Sequence, residues 1–165
     1  MVYTIEQITD TYRNSVNKQI AQGWSGPFVV SKGILHDTRI QPGFIAKKND
    51  EIIGYILYNF SDFPNRDCEI TVLESLCKNI GVGSALINAV INAATDAKCN
   101  RVWLITTNDN IHAIRFYQRQ NFTLKKVHIN ALEISRKLKP QIPLTGYDGL
   151  PIAHEFEFEK YIEQT

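Results

Sequence analysis

No hydrophobic run in the chain approaches the roughly 18 residues that a membrane-crossing helix needs, so neither a membrane span nor a membrane partner is expected. Charge of one sign is missing too. Eighteen Lys and Arg face 17 Asp and Glu for a net +1, and the basic residues gather in no long run. That removes the usual footprint of a nucleic-acid surface. Cysteine is scarce: Cys68, Cys77 and Cys99 form no CxxC pair and leave one over in any disulfide scheme. The opening stretch MVYTIEQITDTYRNSVNKQ lacks the charged-then-apolar design of a secretory signal. These absences together lead us to expect a reduced, cytoplasmic protein. The four histidines and three cysteines show no metal-ligand spacing, so no metal is expected. There is no internal repeat, low-complexity tract or linker.

What is present is an ordinary globular composition, 44% hydrophobic and 21% charged over 165 residues, which predicts one domain over 1–165 with a real core. Ile5, Ile8, Tyr12, Val16 and Ile20 recur every three or four positions and predict an amphipathic helix ending near Gly23. FVVS at 28–31 suits a strand. GFIAKKNDEIIGYILYNF predicts a hairpin, with strands 43–48 and 51–60 around Asn49-Asp50. After the turn chemistry of DFPNRD, CEITVL at 68–73 reads as the next strand. Helical spacing resumes at Val82 and holds to about Ala97. RVWLITT at 101–107, β-rich without alternation, predicts a central strand buried on both faces. A short helix follows over 111–120 with Asn110 as candidate N-cap. FTLKKVHI predicts a strand, and ALEISRKLKPQIPLTGYDGL a helical turn and then a Pro/Gly-rich loop. The Phe/Glu alternation over 155–159 predicts a strand with one wet face. The elements describe an α+β domain around a mixed sheet.

The stretch KNIGVGSAL, 78–86, sets two glycines at the mouth of a helical pattern, where glycine costs stability. Strand, loop, Gly81-x-Gly83, helix and strand form a βαβ unit. The helix N-terminus offers unpaired N–H groups and partial positive charge, an anion site to which Lys78 adds a mobile cation. A P-loop needs Lys-Ser/Thr after the second glycine, and Ser84-Ala85 stands there instead. A dinucleotide fingerprint needs Gly or Ala where Leu86 stands, and an acid about 20 residues on, where Arg101-Val102-Trp103 lie. That reading is weak, and a plain tight turn stays open beside an anion site.

Lys78-Asn79-Ile80-Gly81-Val82-Gly83 resembles the acyl-CoA pyrophosphate turn of the GNAT acetyltransferases, Gln/Arg-x-x-Gly-x-Gly/Ala, with Lys in place of Gln/Arg. NDNIHAIRFYQRQNF resembles the family's later signature, Asn-x-x-Ala-x-x-Phe-Tyr-x-x-x-Gly-Phe. Asn110, Ala113, Phe116, Tyr117 and Phe122 fall on its positions. Asn121 replaces the usual Gly, a mild departure because Asn tolerates positive φ. The resemblance implies the GNAT acyl-CoA N-acyltransferase fold, an α+β (three-layer α/β) architecture. Its mixed sheet has about six or seven strands with about four flanking helices. It also implies an N-acetyltransferase that moves an acetyl group from acetyl-CoA to a primary amine of a small molecule or peptide by direct attack. The alternatives are a non-catalytic acyl-CoA-binding protein on the same fold and an interaction protein whose glycine turn is only structural.

By the same resemblance, the pyrophosphate lies on the N–H groups of Asn79, Ile80, Gly81, Val82, Gly83 and Ser84, and the thioester arm runs beside the 68–73 strand. A backbone N–H near Leu73 then bonds the acetyl oxygen. Asn110 and Ala113 sit in the motif beside the arm, and Tyr117 matches the family's general acid toward the thiolate. Glu69 resembles the glutamate that histone-type members use as base. The acceptor would meet the first helix, the segment after it with Trp24 and His36, and the late substrate-facing loop, where His128 stands. A homodimer is left open, with the 140–151 loop and the last strand as places where subunits would swap or pair.

Overall fold

The computed structural model describes residues 2–62 and 64–163. Within DFPNRD, the position of Phe63 lies outside the described residues. A seven-stranded mixed sheet organises the chain. In spatial order it runs β1 (Thr4–Gln7), β4 (Gly43–Lys48), β5 (Glu51–Phe60), β6 (Cys68–Ser75), β7 (Arg101–Thr107), β9 (Glu155–Tyr161) and β8 (Thr123–His128). A separate hairpin pairs β2 (Phe28–Ser31) with β3 (Ile34–Asp37). Among the described residues there are four α-helices, α1 (Asp10–Gly23), α2 (Val82–Asp96), α3 (Ile111–Arg119) and α4 (Ala131–Leu138).

Apolar residues at helical spacing decide which face each helix covers. Val82, Leu86, Ile87, Val90 and Ala94 of α2 pack with Ile56, Ile70, Val102, Leu104 and Phe158 on one face of the sheet. Val16 and Ile20 of α1 pack with Ile45, Tyr55, Leu57 and Val72 on the other. β5 is buried along nearly its whole length because it lies between both layers.

Three expectations are corrected. The predicted helix from Ile5 begins at Asp10, because Thr4–Gln7 adds an edge strand in which Ile5 pairs with Ala46. β7 alternates: Val102, Leu104 and Thr106 are buried, whereas Trp103, Ile105 and Thr107 are only half-buried on the opposite face. The glutamate face of β9 is not wet, since Glu155, Glu157 and Glu159 are all buried. Lys32 and His128 reach Glu157, Lys125 reaches Glu159, and Arg101 bridges Glu157, Glu159 and Asp67. Burying carboxylates requires such partners.

One feature of the sheet makes room for a site. β6 and β7 are parallel and pair only over Cys68–Ile70 with Val102–Leu104, although β6 continues to Ser75 and β7 to Thr107. Each keeps its outer partner beyond that point, β5 for β6 and β9 for β7, so the sheet parts between them. The register of β6 on β5 passes from Tyr58↔Ile70 to Leu57↔Val72 and leaves Thr71 over. A bulge of this kind bends its strand and increases twist. The Thr71 hydroxyl donates to Oε1 of buried Gln41 at 2.6 Å, which fixes the bend from the side.

Candidate active site

Where β6 and β7 part, a cavity of about 730 Å³ opens into the molecule. Its walls are the run Glu69–Glu74 of β6, Ile105–Thr107 of β7, and Asn110, Ala113 and Tyr117 at the start and inner face of α3. Trp24, the end of β2, and the segment after α4 close it from the opposite side. Arg136 holds that segment by donating to the carbonyls of Ile142, Pro143 and Ile152. Asn108 adds bonds to Pro151, Ala153 and His154.

Glu69 is the carboxylate most altered by this setting. It is 8% exposed, and burial pushes its pKa up to about 7, with Glu155 and Glu157 adding to the push. A bond from Ser31 and the charge of Lys32 act the other way. A directed chain of donors stands behind it. The Asn59 amide nitrogen can only donate, so Nδ1 of His36, 3.2 Å away, accepts, and the ring proton sits on Nε2. Nε2 lies 3.0 Å from Ser31 Oγ, and the Ser31 hydroxyl donates to Glu69 Oε1. Burial lowers the His36 pKa, in keeping with that neutral tautomer. The chain leaves the Glu69 carboxyl fixed in orientation at the cavity wall.

Tyr117 faces the same cavity from α3. Burial, and then the charge of Glu74, raise its phenol well above the ordinary value, so it holds its proton at any physiological pH. Phe116, Phe122 and Phe158 surround its ring. Asn110 caps α3, its side-chain oxygen accepting from Ala113 N–H at 3.1 Å. Leu73 lies on the cavity wall, paired with Ile56 of β5, on the stretch of β6 that β7 has left.

The Lys78–Ser84 turn joins the cavity strand β6 to α2 and is not itself part of the cavity wall. Lys78 and Asn79 are exposed, and Ile80 is half-buried. Gly81 caps the helix at φ 82°, a left-handed conformation that glycine adopts without strain. No side chain caps α2, and the first bond of the helix runs from Ala85 N–H to Gly81 O. The N–H groups of Val82, Gly83 and Ser84 therefore precede the helix ladder, as an anion site requires. Gly83 has a further reason to be bare: a Cβ there would stand 3.0 Å from Cζ of Phe116, so α2 and α3 meet closely at this point.

Of the three residues expected at the acceptor, Trp24 lines the cavity. His36 stands behind Glu69 rather than on the wall, and His128 is bonded to Glu157 at 2.8 Å away from it. Sequence reasoning missed Ser31, Glu74, Asp109, Lys139 and Glu155, all of which line the cavity. Only Asp109 carried a local signal, as the middle residue of Asn108-Asp109-Asn110 ahead of the α3 cap. Among the described residues, no three His, Cys, Asp or Glu side chains group as a metal site, and no helix is long and apolar enough to cross a membrane.

The profile of the Acetyltransferase (GNAT) family matches residues 9–122. The Bacillus subtilis (strain 168) protein YdhI is 39% identical over 144 residues, which cover 87% of this chain and 88% of that one. YxbD of the same organism is 36% identical over 141 residues, covering 85% and 87%. The fold is shared by a GNAT family acetyltransferase from Elizabethkingia anophelis with acetyl-CoA bound. The TM-score is 0.67 at 18% identity, over 97% of this chain and 98% of that one. With the family profile spanning both motifs and the parted sheet between them, this chain belongs to the GNAT family of acetyltransferases.

Proposed function

We propose that the protein transfers an acetyl group from acetyl-CoA to the primary amine of a small molecule or peptide by direct attack. The observation that carries this reading is that Glu69, near its protonation midpoint at neutral pH, and Tyr117, protonated throughout, face one cavity in the parted sheet. The uncapped start of α2 after Gly81 supports CoA as the donor, and so does the acetyl-CoA held by the Elizabethkingia relative. In this reading the N–H groups of residues 79–84 and the Lys78 ammonium take the pyrophosphate, and Asn110 and Ala113 flank the thioester arm.

Glu69 takes a proton from the incoming ammonium, which frees the amine lone pair to attack the thioester carbon. A backbone N–H near Leu73, on the stretch of β6 that β7 has left, bonds the acetyl oxygen as charge gathers there. As the carbon–sulfur bond breaks, Tyr117 gives its proton to the departing thiolate, and the proton shed by the new amide nitrogen restores the phenol. Glu69 afterwards releases the proton it took to solvent, and Trp24 and the segment after α4 complete the cavity lining.

The test is the variant Tyr117→Phe, which removes the phenol oxygen with its proton and leaves the ring. The expected result is a kcat lower by about 100-fold or more, the usual scale of general-acid catalysis. Full turnover at every pH would remove Tyr117 from the mechanism. A non-catalytic acyl-CoA binder separates from this reading by thiol release: it binds acetyl-CoA and releases no thiol with any amine.

A further inference from the structure

The cavity is acidic beyond what the chain as a whole would suggest. Among the described residues, four acidic side chains line it, those of Glu69, Glu74, Asp109 and Glu155, against the one cationic side chain of Lys139. Yet the protein carries 18 Lys and Arg against 17 Asp and Glu. The Lys139 ammonium is spent on backbone: Nζ donates to the carbonyls of Trp24 and Phe28. Two of the four carboxylates have their partners. Glu155 accepts from Lys32 N–H at 3.0 Å and from the Ser135 hydroxyl, and Glu69 accepts from Ser31.

Asp109 is different. It is 2% exposed, and its Oδ2 accepts from Tyr147 N–H at 3.1 Å, but Oδ1 is buried with no hydrogen-bond partner. A buried carboxylate oxygen without a donor is costly, so this position is complete only when something donates to it. The loop that brings Tyr147 is fitted closely: a Cβ at Gly146 would stand 2.0 Å from Asp109 Oδ2, so the carboxylate has no room to swing toward solvent on that side. The acyl-pantetheine arm of a CoA thioester is uncharged and supplies no cation, and its phosphates carry the wrong sign. A cation to meet Asp109 must therefore come from the acceptor.

Resting on the acetyl-transfer reading, we propose that the acceptor is a small amine bearing a second cationic group, and that Asp109 binds that second group while Glu69 faces the amine that reacts. The acceptor thus belongs to the class of diamines and polyamine-like compounds. Asp109 sets specificity and takes no part in bond making.

The experiment uses the full chain, acetyl-CoA, and straight-chain diamines beside monoamines of matched length. The expected kcat/KM favours the diamines by about 10- to 100-fold, the worth of one charged hydrogen bond in a partly buried site. Asp109→Asn, nearly isosteric and still able to accept from Tyr147, is expected to collapse that ratio through the diamine KM, with the KM for acetyl-CoA unmoved. Equal use of monoamines and diamines by the native protein overturns the second-cation assignment without any variant being needed. A ratio that survives Asp109→Asn, or a variant whose acetyl-CoA KM rises instead, overturns the role of Asp109. Acetyl-CoA binding with no amine acetylated overturns the acetyl-transfer reading and this proposal with it.

Discussion

Glu69, the base in the proposed mechanism, weakens the fold that holds it, because its burial disfavours the charged form. Burial raises its pKa from 4.5 in the ordinary state to about 7, so the folded protein favours the protonated form. The stability this gives is present below pH 4.5 and lost as pH rises through 7. Glu69→Gln removes the titration and keeps an acceptor for the Ser31 hydroxyl. It is expected to lower kcat by about 10²- to 10⁴-fold and to abolish the acidic limb of the rate profile. At pH 8 the same variant is expected to be more stable, by on the order of 3 kcal/mol if the whole shift is recovered, as thermal melts would show. Ser31→Ala deletes the bond that lowers the Glu69 pKa, so the limb should move to higher pH; a limb that stays in place would detach Ser31 from the base. Glu69 and Tyr117, the proposed base and acid, could be singled out from sequence because Tyr117 falls in the later family signature and Glu69 resembles the strand glutamate of histone-type members. Ser31 and Asp109 were not, since Ser31–Glu69 and Asp109–Tyr147 each join residues 38 apart and leave no local pattern.

The elements most legible from sequence were those whose period and ends agree. The 43–48 and 51–60 hairpin and the strand at 101–107 stand where they were expected, and α3 begins beside its Asn110 cap. β1 was hidden because Ile5 and Ile8 also satisfy a helical spacing, and only the pairing of Ile5 with Ala46 decides between the two. Strict Phe/Glu alternation in β9 shows that its faces differ and says nothing of what covers the acidic one. The sequence points to a phosphate as the reason for the bare glycine turn, and the structure adds two demands of its own: Gly81 the left-handed cap, and Gly83 the approach of Phe116. Gly81→Ala forces an L side chain into a φ of 82°, at a cost of about 1–2 kcal/mol. The expected result is a lower Tm and a higher KM for acetyl-CoA, with the acceptor KM unmoved. A KM change confined to the acceptor would contradict the placing of CoA at this turn.

Across the sheet, four buried glutamates divide into two pairs that respond to pH in opposite senses. Glu69 and Glu155 are raised by burial and resist being charged. Glu157 and Glu159 also feel burial, but His128 and Lys32 around the first, and Arg101 and Lys125 around the second, hold both below the ordinary value. Their contribution is present above pH 4.5 and lost as pH falls below it, so stability is expected to fall away on the acid side. Arg101 is the hinge of this network through its bonds to Asp67, Glu157 and Glu159. Arg101→Ala should cost about 3 kcal/mol or more at neutral pH, the usual result of leaving buried carboxylates short of a partner. A thermal melt unchanged from the native protein would show that Lys32, Lys125 and His128 suffice. The network braces β7, β8 and β9 on one side of the parted sheet, while β5 and α2 brace β6 on the other, and the gap between them is where we propose that acetyl transfer takes place. The most direct test incubates the full chain with acetyl-CoA and a panel of small amines, following free thiol and acetylated product together. The account predicts one acetylated amine for each thiol released, with diamines used best. Thiol released without any acetylated amine, or acetyl-CoA bound and never consumed, would contradict it.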